Sequence, residues 1–176
     1  AYLDPARHRL NLTIRPNAPC RRIIFQGTKA VGVEVESGDE VFVVEGEEIL
    51  LTSGAMKSPQ ILMLSGVGPA DHLEEFNIPV VKDLPGVGQN LRDHPLATVV
   101  YKAKGKAPGV DVPLIQVCTR YTSEGSHLKS DMIISPTLMT SEHRPTQIDI
   151  DDGDNYLGLS AGVQLAVGSG QLRLKS

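Results

Sequence analysis

The sequence predicts an α+β fold, and three features of this 176-residue chain indicate it. Residues 22–44 contain three short runs in which apolar and polar side chains alternate, as they do in half-buried strands. An apolar run at residues 48–52 then precedes a short apolar helix that starts near Ser58. From Ala97 onward, strand-like runs alternate with loops rich in Gly, Pro, Ser and Asp, which is typical of an antiparallel sheet; the predicted strands are residues 98–102, 114–121, 132–135, 157–167 and 171–175.

The three runs near the N-terminus predict a β-meander. They cover residues 22–26, 30–36 and 40–44, and turns at Gly27 and Gly38 connect them. Consecutive strands joined by such short turns pair with their neighbours along the chain. We therefore expect one antiparallel sheet that leads into the apolar run that follows.

A turn of small residues, Ser53, Gly54 and Ala55, separates that apolar run from the predicted helix. Small side chains suit a sharp turn or a close approach of the backbone to another group. Ser58 can cap the helix, and Pro59 fits its first position because the proline nitrogen has no hydrogen to leave unpaired. Such a junction can hold an anion through backbone donors and the helix dipole, although ordinary connections between strands and helices share the pattern.

Composition limits the classes of function. Hydrophobic residues make up 40% of the chain and aromatic residues only 4%, so aliphatic side chains must fill the core. The net charge of -4 comes without a basic stripe, which argues against a nucleic-acid partner. No apolar run approaches the ~18 residues of a membrane-spanning helix.

The two cysteines, Cys20 and Cys118, have no Cys or His at metal-ligand spacing, so we expect no metal site. We expect two free thiols in a reducing, cytoplasmic compartment.

Three further features are weaker candidates for function. A helix is predicted at residues 69–77, with Asn77 as its left-handed end. His72 on this helix has no neighbouring nucleophile or ligand partner, so we expect a surface or packing histidine. Residues 149–154 are rich in Asp, but their spacing does not match a calcium loop, and a solvated acidic turn explains them better. Gly86 and Gly88 follow a proline and precede no convincing helix, so they form a weak dinucleotide fingerprint.

Two segments carry a resemblance to a known family. They are SGAMKSPQILMLSGVGPA at residues 53–70 and LPGVGQNLRDHP at residues 84–95. Both resemble motifs of the glucose-methanol-choline family of flavoprotein oxidoreductases. The resemblance implies FAD as the cofactor, with residues 1–95 as part of an FAD-binding α/β domain. It implies that residues 96–176 belong to a substrate-binding domain built on an antiparallel sheet.

The resemblance also implies which residues bind the cofactor. Family members carry an Ala-x-Val-x-Arg pattern whose valine contacts the adenine end of FAD, and residues 18–22 match it with Cys20 in place of the valine. A small apolar thiol can take that place, and a purely structural, buried Cys20 is the alternative. Asp93 and His94 are adjacent, so their side chains point apart on extended backbone, and we expect no catalytic dyad between them. The expected cofactor-binding residues are Cys20, Ser53, Gly54, Ala55, Ser58, Asn90 and His94.

The activity implied by the resemblance is hydride transfer from a small-molecule alcohol to FAD, as in choline dehydrogenase-like enzymes. The resemblance covers the middle of the family's chain, without its N-terminal glycine-rich fingerprint or its C-terminal active-site histidine. We therefore expect an inactive fragment that holds no catalytic residue. A non-catalytic, β-rich binding or interaction module without the cofactor is the alternative. An NAD-dependent enzyme is less favoured, because the glycines stand in the wrong order relative to strand and helix.

Overall fold

The computed structural model describes residues 2–104, 115, 117–139 and 156–175 of the chain. It confirms the predicted α+β class, with two α-helices and antiparallel sheets. The described residues form two compact units. The first unit runs to Leu91 and includes the C-terminal segment from Gly170, and the second unit is Arg92–Ser169. The assignment of residues 1–95 and 96–176 to two functional domains stays a prediction.

The predicted β-meander is present in the first unit, after a single 3-10 turn at Asp4–Ala6. Its strands are β1 (Cys20–Gln26), β2 (Lys29–Ser37) and β3 (Glu40–Glu45), and they pair in the order β1-β2-β3. Both pairings are antiparallel and close with two-residue loops. Gly27 and Gly38 have φ angles of 60° and 63°, which such tight hairpins require and which glycine adopts without strain.

Helix α1 (Gly54–Leu64) starts about one turn earlier than the sequence predicts. Gly54 has a φ of 80°, and this left-handed residue turns the chain directly into the helix. Ser58 and Pro59 therefore lie inside α1, and the prediction that they cap and open the helix is wrong. Proline lacks the N–H that the carbonyl of Ala55 would accept, so α1 continues through Pro59 with one backbone hydrogen bond missing.

The predicted strand at residues 48–52 is also wrong. This segment forms no ladder with any other part of the described chain, and the side chain of Leu50 is 79% exposed. An apolar run becomes a strand only when a neighbouring backbone accepts and donates its hydrogen bonds. Within the described residues, this segment has no such neighbour.

The core of the first unit forms where α1 packs on the sheet and on the chain that follows. Residues 61–64 are all apolar and predict burial around the whole helix, but only Ile61 and Met63 are buried, and Leu64 remains 40% exposed. Met63 is completely buried, and burying a side chain of this size contributes about 1.5–3 kcal/mol. The other buried apolar side chains of this unit are Ile23, Val35, Val67 and Leu73.

Two short parallel strands, β4 (Val67–Gly68) and β5 (Lys82–Asp83), flank helix α2 (Ala70–Glu75). The chain leaves α2 through Asn77, whose φ of 56° confirms the predicted left-handed end. Gly66 has a φ of 85°, and a Cβ on it would meet the carbonyl oxygen of Pro79. Only glycine therefore allows the chain after α1 to run this close to its neighbour.

His72 on α2 is a packing histidine with a defined tautomer. Its side chain is 4% exposed, and its Nε2 accepts the backbone N–H of Leu174 at 3.0 Å. A backbone N–H can only donate, so the neutral ring carries its proton on Nδ1 and donates it to Glu75 at 3.1 Å. The guanidinium of Arg173, 2.9 Å from Nδ1, can donate no bond to that protonated nitrogen and instead pairs with Glu75 at 3.4 Å.

The C-terminal segment, residues 170–175, belongs to the first unit. Gly170 pairs with Leu91 in an isolated bridge, and the N–H of Leu172 donates to the carbonyl of Gly88 at 2.7 Å. The predicted strand at residues 171–175 is wrong, because the segment is held by single hydrogen bonds and by His72 rather than by a ladder. Gly88 makes this approach possible, since a Cβ there would meet the carbonyl oxygen of Leu172.

The second unit contains the predicted antiparallel sheet. Its strands are β6 (Leu96–Lys102), β7 (Thr119–Tyr121), β8 (Met132–Met139) and β9 (Tyr156–Val163). They pair in the order β6-β9-β8-β7, and all three pairings are antiparallel. Of the strand predicted at residues 114–121, the structure shows only the last part, and residues 114 and 116 lie outside the described residues, as does the acidic turn at 149–154.

Candidate functional site

An open groove of about 760 Å³ lies between the start of β1 and one face of α1 in the first unit. We call it the Cys20 groove. One wall comes from the sheet and the other from the helix, so residues far apart in the sequence face the same space. The lining residues are Pro19, Cys20, Arg21, Arg22, Glu34, Ser53, Lys57, Gln60, Ile61 and Leu64.

Cys20 lies on the sheet wall of the groove and is half-buried. Its Sγ is 3.8 Å from the carbonyl oxygen of Arg22, to which the thiol can donate a weak hydrogen bond. Burial raises the pKa of the Cys20 thiol, because desolvation disfavours the thiolate. At neutral pH the groove therefore presents a small, uncharged thiol that can pack against a flat apolar group rather than react with it.

Charged side chains border the same wall. Arg22 donates a hydrogen bond to Glu34 across β1 and β2, with Nη2 and Oε2 at 2.9 Å. This bond lowers the pKa of Glu34 and raises the pKa of Arg22. Arg21 lies farther from the same carboxylate, at 3.9 Å, and 3.7 Å from Glu36. Both arginines are about half exposed, so these pairs orient side chains more than they stabilise the fold.

The helix wall of the groove begins with the predicted small-residue turn. Ser53 lines the groove as the residue before α1, and Gly54 and Ala55 are exposed in its first turn. A Cβ on Gly54 would meet no atom within 4 Å, so the backbone is open to an approaching group. The first N–H groups of a helix have no partner within the helix and carry its positive dipole end. These features fit a polar or anionic nucleotide group.

The structure brings some of the predicted site residues together and not others. Cys20 and Ser53 line one groove. Gly54 and Ala55 follow Ser53 in the chain and are exposed, and Ser58 is half-buried one turn further along α1, but these three residues do not line the groove. A role of these five residues in binding the cofactor stays a prediction.

Asn90 and His94 do not join this group. Asn90 is exposed, with a φ of 59°, at the end of the first unit, and it does not line the groove. His94 belongs to the second unit, where its Nδ1 lies 3.2 Å from the carbonyl oxygen of Val163 and its Nε2 lies 3.4 Å from Gln164. It lines a separate cavity of about 220 Å³. Their assignment to the cofactor site also stays a prediction.

Sequence reasoning missed five polar residues of the groove, Arg21, Arg22, Glu34, Lys57 and Gln60. Lys57 and Gln60 are one turn apart, and the Lys57 ammonium donates to the Gln60 amide oxygen at 2.9 Å. A helix placed from Gly54 puts residues 57, 60, 61 and 64 on one face, so an earlier predicted start would have revealed them. The pattern at residues 18–22 contains Arg22, but the pairing of Arg22 with Glu34 depends on the hairpin register.

The part of the chain that the structure describes contains no cluster of three or more His, Cys, Asp or Glu side chains able to hold a metal ion. None of the helices in that part has the length and hydropathy needed to cross a bilayer. Cys20 and Cys118 are both free thiols.

The model of the GMC oxidoreductase family matches residues 1–96, more than half of the chain. The chain belongs to the GMC oxidoreductase family. The matched region is part of the family's FAD-binding domain, so the predicted family and the predicted cofactor, FAD, are confirmed. The Cys20 groove and the first turn of α1 lie within this matched region of the GMC chain.

Curated relatives of this GMC chain include oxygen-dependent choline dehydrogenases. The enzyme from Escherichia coli O17:K52:H18 (strain UMN026) is 52% identical over 106 residues, which cover 58% of this chain and 19% of the relative. The enzyme from Escherichia coli strain K12 DH10B is 51% identical over the same length and the same shares. The chain thus spans about a fifth of the length of these curated relatives.

Solved structures of similar fold cover between 56% and 97% of the chain. Pyridoxine 4-oxidase from Mesorbium loti matches 97% of this GMC chain and 34% of its own, with a TM-score of 0.74 and 26% identity. An FAD-dependent oxidoreductase from Chaetomium thermophilum matches 56% of this chain and 18% of its own, with a TM-score of 0.53 and 40% identity. Formate oxidase from Aspergillus oryzae, at a TM-score of 0.81 and 18% identity over 97% and 39% of the two chains, shows the fold alone.

Proposed function

We propose that this chain is part of an FAD-dependent oxidoreductase, a dehydrogenase or oxidase, that oxidises the CH–OH group of a small alcohol. The observation that carries the proposal is the Cys20 groove, which is lined by both Cys20 and Ser53, the residue directly before the open backbone at Gly54. Membership of the GMC family supports FAD as the ligand of this groove. The choline dehydrogenases at 51–52% identity support an alcohol as the substrate and make choline the first alcohol to test.

The residues of the groove have separable tasks in this proposal. The neutral Cys20 thiol packs against the flat adenine end, because it is small, apolar and protonated. The free N–H groups at the start of α1 donate to polar atoms of the nucleotide, and Gly54 keeps that backbone accessible. Glu34 holds Arg22 in place, so the sheet wall keeps its shape when a ligand enters. When bound, FAD supplies the hydride acceptor for the oxidation of the alcohol carbon.

The proton of the alcohol must go to a base, and we propose that this base lies outside the chain. His72 cannot act as one, because its Nε2 lone pair accepts the Leu174 N–H and its Nδ1 proton is held by Glu75. His94 donates from Nδ1 to the Val163 carbonyl, and its Nε2 lone pair faces the amide N–H of Gln164, 3.4 Å away. The chain thus contributes the binding and orientation of the cofactor, and the cytoplasmic location predicted from the free thiols is part of this proposal.

The first experiment tests cofactor and activity together in the full-length protein that contains this chain. We expect it to purify yellow, with flavin absorbance that stays with the folded protein on a desalting column and separates from it after denaturation. We also expect at least one alcohol from a panel headed by choline to reduce the bound flavin and bleach its absorbance. A dye or oxygen should then reoxidise the flavin. A colourless protein that binds no added FAD would overturn the proposal and favour the non-catalytic β-rich module.

A Gly54→Ala substitution tests the groove itself. The new Cβ meets no protein atom but occupies the open side of the first turn of α1, so we expect FAD to bind about tenfold more weakly. Any residue other than glycine is strained at a positive φ, by about 1–2 kcal/mol, and this strain alone could weaken the protein. Gly38→Ala is the matched control, because Gly38 has a φ of 63° and open space but lies in the hairpin after β2. Equal FAD dissociation constants for the two variants would count against the turn as a cofactor contact.

A further inference from the structure

Ser65, directly after the last residue of α1, joins the two walls of the Cys20 groove. Its hydroxyl accepts the backbone N–H of Ile23 on β1 at 2.8 Å and donates to the carbonyl oxygen of Ile61 on α1 at 2.5 Å. Both bonds are buried, and Ser65 itself is buried. One side chain therefore bonds the backbone of the sheet wall and the backbone of the helix wall at once.

The hydrogen bond from Ile23 to Ser65 links the sheet to the end of α1, and Ile23 has no other described acceptor for this N–H. β1 is the edge of the three-stranded sheet, and the Ile23 N–H points away from β2 towards the helix. Ile23 is only 6% exposed and Ser65 only 7%, so the hydroxyl is the acceptor that the described structure supplies to this N–H. A buried backbone N–H without a partner is strongly disfavoured, so losing the Ser65 hydroxyl would force β1 or α1 to shift.

Such a shift would act directly on the groove. Ile61, whose carbonyl accepts the Ser65 hydroxyl proton, lines the helix wall. Arg22 and Cys20, one and three residues before Ile23 on the same strand, line the sheet wall. The pairing of β1 with β2 changes register between Cys20 and Arg22, so the ladder alone holds this end of β1 less regularly.

We propose that Ser65 is a positioning residue that fixes the separation of the two walls of the cofactor groove. The inference rests on the proposed function, because the groove is taken as the place where FAD binds. Ser65 does not line the groove, and it acts on the cofactor only through Ile23 and Ile61. Its removal should therefore weaken FAD binding even in protein that remains fully folded.

The test compares Ser65→Ala with Ser65→Thr in the full-length protein, stripped of flavin and titrated with FAD. The measurements are made at a temperature at which circular dichroism shows both apoproteins folded. We expect Ser65→Ala to raise the FAD dissociation constant about tenfold, because a buried donor loses its partner. We expect Ser65→Thr, which keeps the hydroxyl, to stay within about threefold of the wild type. If Ser65→Ala does not fold, Ser65→Cys takes its place, because its sulfur is a more distant and weaker acceptor. Its FAD dissociation constant should lie between about three and about ten times that of the wild type.

Ser123→Ala provides a matched control in the second unit. It also deletes a serine hydroxyl that makes a short bond, 2.6 Å to the Asp131 carboxylate, but far along the chain from the groove. Ser123→Ala should lower the melting temperature without changing the FAD dissociation constant. If Ser65→Ala behaves in the same way, Ser65 is only a stabilising residue and the inference is overturned. A wild-type protein that binds no FAD would instead overturn the proposed function, which is a separate result.

Discussion

Asp131 shows, at the scale of a single residue, how a buried charge can hold a loop. It is 6% exposed, just before β8, and its carboxylate accepts the Ser123 N–H at 2.8 Å and the Ser123 hydroxyl at 2.6 Å. These bonds lower the pKa of Asp131, because they favour the ionised form. The carboxylate therefore contributes to the stability of the folded second unit only while it is charged.

The lowered pKa of Asp131 gives a prediction for stability against pH. A group whose pKa is lower in the folded protein stabilises it above the unfolded pKa of about 3.9, and this contribution is lost as pH falls through the folded value. We expect the free energy of unfolding, measured by urea titration, to decrease on acidification below pH ~4. The Asp131→Asn variant should be less stable at neutral pH and lose less stability on acidification. Parallel pH profiles for the two proteins would contradict this assignment.

At the scale of elements, the sequence predicts those whose signals are local. The β-meander follows from alternation and from Gly27 and Gly38, and Asn77 ends α2 as expected, because each signal is contained in a few consecutive residues. The failures are the segments at 48–52 and 171–175, which have strand-like composition but no ladder in the described chain. Whether such a run becomes a strand depends on which backbone lies beside it, and composition does not contain that information.

The start of α1 is the most instructive error at this scale, and it yields a prediction. Pro59 suggested a helix start, but the helix passes through it and leaves the Ala55 carbonyl without its donor. Pro59→Ala should restore that bond, and we expect about 1–2 kcal/mol of added stability after allowing for the greater freedom of the unfolded chain. Urea unfolding of the variant measures this, with Lys57→Ala as a control at a helical position that has its N–H. A less stable Pro59→Ala protein would show that the missing bond is compensated by other contacts.

At the scale of the whole molecule, the sequence predicts individual residues of the site but not how they are arranged in space. The motifs named Cys20 and Ser53 separately, and only the packing of β1 on α1 through Ser65 explains why they share a groove. Arg22 and Lys57 could not be assigned to it, because their contribution depends on the hairpin register and on the true start of the helix. His94 was predicted together with Asn90 from one continuous motif at residues 84–95, yet the structure divides that motif between the two compact units.

This division makes the extent of the cofactor site measurable by hydrogen exchange in the full-length protein. FAD at about 100 times its dissociation constant should add about 2.7 kcal/mol to the free energy of unfolding of the region that binds it. We expect slower exchange at residues 20–26 and 53–61, the two walls of the Cys20 groove, and little change in β8, whose described neighbours are the other strands of its own sheet.

Peptides that cover His94 test whether this residue contacts the cofactor. Their protection by FAD would support His94 as a cofactor contact, whereas unchanged exchange would confine the contribution of this chain to the first unit. Protection of β8 equal to that of the groove would mean that FAD stabilises the chain as a whole, and the Cys20 groove would then lose its claim to be the binding site.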